Sequence, residues 1–210
     1  MPTETSTRDA ALDAALELFA RKGFEATSVR DIAAAVGVKA PSLYKHFGSK
    51  QEILDALVER ELACHAQASA QLGMPAAGQG AACAYATADP AAVGDFAAGL
   101  LRHWCCGRAG AFRRMLAAER LRSPEMGKLY RELFLDGPLS YEPELFSQMM
   151  ELGAMREGDP QAVALQFWGP LLTLMEASDC GYAIEELEKK ARQHVALFAT
   201  RNIIGDDGDE

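Results

Sequence analysis

Apolar residues recur at intervals of three and four along most of the chain, and sustained alternation of apolar and polar positions is missing. Intervals of three and four are typical of helices that bury one face, whereas alternation is typical of half-buried strands. The first apolar set forms one helical face and comprises Leu12, Ala15, Leu16 and Phe19. A cation followed by glycine, Lys22 and Gly23, indicates where that helix ends. The pattern predicts an all-α fold.

The second helix is bounded by polar and glycine signals. Ser28-x-x-Asp31 is a capping sequence at its start, and Gly37 indicates its end. A third helix is predicted over residues 40–46, with Pro41 in the first turn, where its missing N–H removes no intrahelical bond.

Gly48 then turns the chain, and Ser49-x-x-Glu52 predicts the start of a fourth helix that runs to about residue 72. Residues 73–90 are rich in Gly, Ala and Pro and are predicted to be a loop. Further helices are predicted over residues 90–106, 108–122, 124–136, 141–153, 160–178 and 183–204. Helix starts are indicated by Pro90, Pro124 and Pro160, and helix ends by Gly107, Gly153 and Gly181.

The chain has 210 residues and a net charge of −9, but its charge is unevenly distributed. Residues 21–50 contain six Lys or Arg and two acidic residues, a net +4 in an otherwise acidic chain. A local positive field can steer a polyanion even when the whole protein is acidic.

The five cysteines are Cys64, Cys83, Cys105, Cys106 and Cys180, an odd number without a CxxC pair. This disfavours both a disulfide scaffold and a zinc ribbon, and free thiols fit a reducing cytoplasm. His103 near Cys105 and Cys106 leaves open a metal or thiol sensor, but buried cysteine packing is favoured and no metal or other cofactor is predicted.

No targeting or membrane segment is predicted. The N-terminus lacks a basic region followed by an apolar one, so we expect no secretory signal. The most apolar stretch, 162–177, is short and is interrupted by polar residues, Gly and Pro, so we expect no membrane span.

The second and third helices are separated by a short link at residues 37–40, an arrangement typical of a helix-turn-helix. The second helix of such a pair enters the major groove of DNA. Here it presents Ser42, Tyr44, Lys45 and His46, whose polar, aromatic and basic groups suit phosphates and base edges. Leu43 and Phe47 are expected to pack back on the first two helices.

The stretch from Gly23 to Ala33, followed by Gly37-Val38 and by Leu43-Tyr44-Lys45-His46-Phe47-Gly48-Ser49-Lys50, resembles the DNA-binding domain of TetR-family transcriptional regulators. The similarity covers about residues 8–57. It implies an all-α homodimer with an N-terminal helix-turn-helix and a C-terminal ligand-binding and dimerisation domain. We therefore predict a DNA-binding domain at 1–50, an effector and dimerisation domain at 51–205, and an acidic tail at 206–210.

The resemblance also assigns roles to individual positions. Thr27 and Ser28 match phosphate contacts, and Lys50 matches a lysine that contacts the DNA backbone. Lys39 stands where the family usually has a capping Ser or Thr, and it cannot accept the N–H bonds of a cap, although it could contact phosphate. The full set of predicted DNA contacts is Thr27, Ser28, Arg30, Lys39, Ala40, Pro41, Ser42, Tyr44, Lys45, His46 and Lys50.

Bulky apolar residues are concentrated between 90 and 150, where an ordinary core and an effector cavity are both possible. By resemblance to the family, some of them should line a cavity. The predicted lining is Phe96, Leu100, Trp104, Phe112, Met115, Leu116, Phe134 and Met149. Few charges lie among them, which favours a small apolar effector.

The last two helices are strongly apolar and could form a core pair or a subunit interface. The family's four-helix-bundle dimers favour the interface. The predicted interface residues are Phe167, Trp168, Leu171, Leu172, Met175, Leu187, Ala191, Val195 and Phe198.

Two functions are candidates for this sequence. One is a ligand-responsive regulator, expected to be a repressor of a palindromic operator, and the other is a small helical enzyme or carrier. The enzyme would need a catalytic motif, and GxSxG, HExxH, Walker A and GxGxxG sequences are all missing. It would also leave the motif at 23–50 unexplained. We therefore predict a cytoplasmic regulator that is not an enzyme and does not bind membranes.

Overall fold

The computed structural model describes residues 6–71 and 79–204, and these residues are predominantly helical, as predicted. The α-helices are α1 Thr7–Lys22, α2 Val29–Val36, α3 Ala40–Leu43, α4 Lys50–Gln71, α5 Gln79–Ala86, α6 Pro90–Cys105, α7 Gly107–Glu119, α8 Pro124–Arg131, α9 Gly137–Glu151, α10 Pro160–Asp179 and α11 Ile184–Asn202. A π-helical turn, Glu132–Asp136, joins α8 to α9. In this part of the chain the β-type pairing is a single bridge between Met155 and Ile203.

The first two helices end where their local sequence predicts. Gly23 and Gly37 follow α1 and α2 with φ angles of 85° and 79°, a region that favours glycine. Ser28 and Asp31 form the predicted capping box, since the Ser28 hydroxyl accepts the Asp31 N–H and the Asp31 carboxylate accepts the Ser28 N–H.

Other boundaries differ from the predictions. Residues 79–86 are helical instead of forming part of a loop, while residues 73–78 and the acidic tail lie outside the described residues. Alanine accounts for the difference, because α5 carries four alanines and alanine favours helices more than any other residue. Gly107 begins α7 instead of ending the helix before it.

The chain divides into two compact units. The first unit contains Met1–Gln71 and Cys106–Lys128, and the second contains Leu72–Cys105 and Leu129–Glu210. The compact unit that holds the N-terminal helices thus extends past residue 50 and includes α4 and α7. The functional boundary at residue 50 stays a prediction.

Charged side chains connect three helices of the first unit. The Glu61 carboxylate of α4, 4% exposed, accepts from the Arg108 guanidinium of α7 at 2.8 Å. Arg60 of α4 contacts both Glu61 at 3.2 Å and Asp13 of α1 at 2.8 Å. Buried carboxylates are costly unless they are paired, and these arginines supply the pairing. The cluster explains why α7 belongs with the N-terminal helices.

A second polar contact fixes the turn between α1 and α2. Glu119, at the end of α7, accepts a hydrogen bond from the Phe24 backbone N–H at 2.9 Å. A Cβ atom added at Gly23 would lie 3.1 Å from the same carboxylate. The turn therefore requires glycine both for its φ angle and for space.

The second unit is built around α9, α10 and α11. Its apolar cluster includes Phe146, Met149, Val163, Ala164 and Phe198. Phe146 and Phe198 have ring centroids 5.6 Å apart, and Phe167 joins them from α10. Within the described residues, none of the helices is long and apolar enough to cross a membrane.

Candidate functional site

The predicted recognition helix is one turn long. α3 ends at Leu43, and residues 44–46 form a turn, so the predicted helix over 40–46 is too long. Lys39 precedes α3 and makes no side-chain capping bond, in agreement with the sequence argument. The turn stays close to helical, because the Phe47 N–H donates to the Leu43 carbonyl at 3.0 Å.

Burial divides this segment into an inner and an outer face. Leu43 and Phe47 are 0% and 4% exposed, and α3 packs against α1 and α2 as predicted. Pro41, Tyr44, Lys45 and His46 are exposed, whereas Ala40 and Ser42 are half-buried. An aromatic ring that is 55% exposed beside a lysine and a histidine is available to a partner.

Arg8 adds a cation that the sequence analysis missed. Its guanidinium carbon lies 5.5 Å from the centroid of the Phe47 ring, and its side chain is exposed. Arg8 is distant in sequence from the basic segment 21–50, and only the packing of α1 against the turn brings it near Phe47. Exposed cations of the N-terminal helices include Arg8, Arg30, Lys39 and Lys45.

Thr27 has a structural role. It is 1% exposed, and its hydroxyl donates to the Gly23 carbonyl at 2.8 Å. A side chain that is buried and engaged in this way is unavailable to a phosphate, so we remove Thr27 from the predicted contacts.

Ser28 is exposed but is engaged in the cap of α2. Its hydroxyl donates to the Asp31 carboxylate at 2.7 Å and accepts the Asp31 N–H at 3.2 Å. The hydroxyl and backbone N–H of Ser28 hold the pKa of Asp31 below its usual value. A phosphate contact through Ser28 stays a prediction.

We expect Ser28→Ala to lower the free energy of unfolding by about 1 kcal/mol, because it removes the cap of α2. Urea denaturation followed by circular dichroism measures this. Ser140→Ala is the control, since Ser140 is exposed in α9. Equal loss of stability in both variants would contradict the assigned role of Ser28.

Lys50 holds the turn between α1 and α2. Its Nζ donates to the Phe24 carbonyl at 2.7 Å, and it lies 4.2 Å from the centroid of the Phe24 ring. Through these contacts the Lys50 ammonium group positions the turn between α1 and α2. Direct contact between Lys50 and DNA stays a prediction.

Comparison with known proteins identifies this arrangement. A sequence model described as "Bacterial regulatory proteins, tetR family" matches residues 11–57, which contain α2 and α3 and parts of α1 and α4. Over these residues the chain is similar to TetR-family regulators.

Relatives with a curated description match this chain over 53 and 72 residues. The HTH-type transcriptional repressor ComR of Escherichia coli is 49% identical over 53 residues, which are 25% of each chain. The class D tetracycline repressor protein of Escherichia coli is 39% identical over 72 residues, 34% of this chain and 31% of that protein. The match thus spans about a quarter to a third of the length of these relatives. They are repressors by name, not enzymes.

A solved structure matches over nearly the whole chain. The TetR-family transcriptional regulator PfmR of Thermus thermophilus is 28% identical, with a TM-score of 0.60, and the match covers 96% of this chain and 100% of that one. This likeness covers the helical fold of the remainder of the chain as well as the N-terminal helices.

The residues predicted to line an effector cavity are divided between the two units. Phe112, Met115 and Leu116 belong to α7 in the first unit. The others belong to the second unit and are Phe96, Leu100, Trp104, Phe134 and Met149. In that unit the Trp104 and Phe134 rings are 4.8 Å apart in an edge-to-face arrangement.

Most residues of the predicted dimer interface are buried within the single chain. The residues buried within the single chain are Trp168, Leu171, Met175, Leu187, Ala191, Val195 and Phe198, and Phe167 and Leu172 are half-buried. The Trp168 indole N–H donates to the Phe134 carbonyl at 2.7 Å, which fixes it inside the unit. These seven buried residues pack within their own unit, because the stripe that faces the core is the most apolar one. A place at a subunit interface stays a prediction for Phe167 and Leu172.

The outer faces of the same helices have other apolar residues. Leu165 of α10 is 60% exposed, Leu197 of α11 is 51% exposed, and Ile204 beyond α11 is 49% exposed. These side chains, and not those of the core stripe, are available to a second subunit.

The sequence analysis also missed a buried carboxylate in the second unit. Glu142 of α9 is 7% exposed, and its Oε2 has no hydrogen-bond partner among the described residues. A signal was present, since Leu139, Glu142, Phe146 and Met149 follow helical spacing, and a carboxylate therefore occupies an apolar stripe. Burial raises the pKa of Glu142 to about 8.

We expect the contribution of Glu142 to stability to fall as the pH rises. Folded Glu142 keeps its proton up to a pH of about 8, whereas the unfolded chain releases it near 4.5. The contribution of this one group is therefore fully present below 4.5 and is lost as the pH rises towards 8.

Glu142→Gln stays neutral at every pH and should lack this decline, leaving it more stable than wild type near pH 8 by on the order of 1–3 kcal/mol. Urea denaturation at several pH values tests this, with Glu144→Gln, an exposed neighbour, as the control. Identical pH profiles for wild type and Glu142→Gln would contradict it.

Proposed function

We propose that this chain is a ligand-responsive transcriptional regulator that binds DNA as a homodimer. It represses transcription from a palindromic operator and is released by a small effector with a largely apolar body. The observation that supports this most directly is the outer face of α3 and the following turn. This face exposes Tyr44, Lys45 and His46, while Leu43 and Phe47 of the same segment are buried.

The chemistry of this face fits the major groove of DNA. Lysine and arginine bind phosphates, and aromatic and polar groups contact base edges and thymine methyl groups. The positive charge near this face is distributed over several exposed side chains, those of Arg8, Arg30, Lys39 and Lys45. Affinity should therefore fall steeply with salt, since each phosphate contact releases counterions.

A dimer explains how a recognition segment of one helical turn can select a site. One short segment reads few base pairs, but two segments related by a two-fold axis read two half-sites about one turn of DNA apart, roughly 34–36 Å. The exposed Leu165 and Leu197 offer α10 and α11 as the surface that joins two subunits.

The effector is proposed to bind in the helical second unit. Apolar and aromatic side chains dominate its interior, and this composition suits ligands held mainly by burial. One relative, the class D tetracycline repressor protein, is named for a small molecule. For the effector to regulate transcription, it must bind the DNA-free state more tightly than the DNA-bound state.

Footprinting of the purified protein on the DNA upstream of its own gene tests the proposal. We expect protection of a sequence with two-fold symmetry and binding that weakens steeply with salt. A protein that binds this DNA no more tightly than unrelated DNA, at every salt concentration tried, would contradict the proposed function.

A further inference from the structure

Glu142 is a buried acid, and among the described residues its Oε2 has no hydrogen-bond partner. It lies on α9 one helical turn before Leu145 and Phe146, which belong to the apolar cluster of the second unit. Its Oε2 is fully covered and accepts no hydrogen bond from the described residues. Moving a carboxylate away from water without a partner is costly, so a folded protein normally supplies one.

Two tyrosines lie near this acid. Tyr85 of α5 and Tyr141 of α9 both pack against the apolar cluster, and α5 contacts α9. Burial is the main reason that the pKa of Tyr85 is raised to about 12, and the negative charge of Glu142 raises the pKa values of both tyrosines further. Tyr85 and Tyr141 are therefore within electrostatic reach of the Glu142 carboxyl.

The chemistry of these groups selects one sign of charge. A carboxylate attracts a cation, and the electron-rich faces of aromatic rings do the same. An anion would be repelled by Glu142. A metal ion would need several oxygen, nitrogen or sulfur ligands, and the described residues contain no group of three or more His, Cys, Asp or Glu that could hold one.

We propose that Glu142, with Tyr85 and Tyr141, forms an anchor in the second unit for an organic cation, a protonated amine or a quaternary ammonium with an apolar body. This inference rests on the proposed function, because it identifies the class of effector. It corrects the expectation that the effector is uncharged: the apolar cluster buries the body of the molecule, and Glu142 pairs with its charged group.

Binding exchanges a proton for the ligand charge. Near neutral pH the free protein holds Glu142 largely protonated, since burial raises the pKa of its carboxyl to about 8. A bound cation stabilises the carboxylate, and the carboxyl proton leaves to solvent. The other titratable groups around the cluster are Tyr85 from α5, Tyr141 from α9 and His194 from α11, whose ring lies beside Phe167 and Phe198. α10 contributes the apolar Val163, Ala164 and Phe167.

Isothermal titration calorimetry of the full chain with benzyltrimethylammonium and with neopentylbenzene, its uncharged isostere, tests the anchor. We expect wild type to bind the cation at least about tenfold more tightly than the isostere, and Glu142→Gln to lose this preference. The control Glu144→Gln changes an exposed carboxylate two residues away and should behave like wild type.

Proton release gives a second readout that needs no variant. Titrations in buffers of different ionisation enthalpy should show about 0.8 protons released per cation near pH 7.5 and almost none near pH 9.5. The usual pKa of histidine lies below this window, and the raised pKa of Tyr85 lies above it. Cysteine thiols usually titrate within the window, so the uncharged isostere is the control for them. The isostere should release no proton.

Three results would overturn the anchor: no binding of the cation by wild type, equal affinity for cation and isostere, or an unchanged preference in folded Glu142→Gln. If Glu142→Gln fails to fold, proton release by wild type tests the anchor instead, and binding of the cation without proton release near pH 7.5 would overturn it. DNA binding is measured in parallel. A protein that binds operator DNA but not the cation refutes the anchor alone, and one that binds the cation but not operator DNA refutes the proposed function alone.

Discussion

A variant with glutamate in place of both Leu165 and Leu197 is expected to be a folded monomer that binds operator DNA about 1,000-fold more weakly than wild type. Both leucines are more than half exposed, at 60% and 51%, so their replacement leaves the core of the second unit intact. Four buried charges at a two-fold interface would oppose association, and a monomer loses the second half-site on which specific affinity depends.

Sedimentation velocity gives the oligomeric state, and fluorescence anisotropy with labelled operator gives the affinity. Leu152→Glu is the control, since Leu152 is 55% exposed at the end of α9, and it should stay dimeric. Leu171→Glu provides the contrast, because Leu171 is 2% exposed and its replacement should unfold the second unit. A dimeric Leu165→Glu/Leu197→Glu double variant would place the interface elsewhere.

Replacing both Tyr44 and Lys45 with alanine is expected to weaken operator binding by roughly 100-fold or more and to reduce discrimination between operator and unrelated DNA. Each base contact contributes about 1–3 kcal/mol, whereas loss of a phosphate contact weakens binding to all sequences alike. Both side chains are exposed, so the free energy of unfolding should stay within about 0.5 kcal/mol of wild type.

Single variants separate the two contributions. Tyr44→Ala should reduce discrimination, whereas Lys45→Ala should flatten the dependence of affinity on salt. Tyr182→Ala is the matched control, because Tyr182 is also 55% exposed but lies in the second unit. Wild-type DNA affinity in the Tyr44→Ala/Lys45→Ala double variant would show that this face does not contact DNA.

Local chemistry made the N-terminal helices predictable. The caps of α1 and α2 depend on residues within four positions of each other, as in Ser28 and Asp31 or Lys22 and Gly23. The one-turn recognition helix was less predictable. Lys39 gives it no side-chain cap, and the burial of Leu43 and Phe47 holds residues 44–46 in a turn.

The sequence could not predict which partner covers the apolar face of a helix. α10 and α11 were correctly predicted as apolar, yet Leu171, Val195 and Phe198 face their own unit, while Leu165 and Leu197 face outward. Apolar periodicity identifies a buried stripe but does not say whether the same chain or a second subunit covers it.

The sequence by itself determined the helical fold class, the ends of the first helices and the resemblance of the N-terminal part to a known family, because caps, glycines and a closely spaced motif act over a few residues. Only the tertiary structure decided that Thr27 is buried, that Arg8 lies beside the recognition turn, and that Glu142 is enclosed by apolar side chains. Burial and long-range contact depend on which helices pack together, and that packing is a property of the whole unit and not of any short segment.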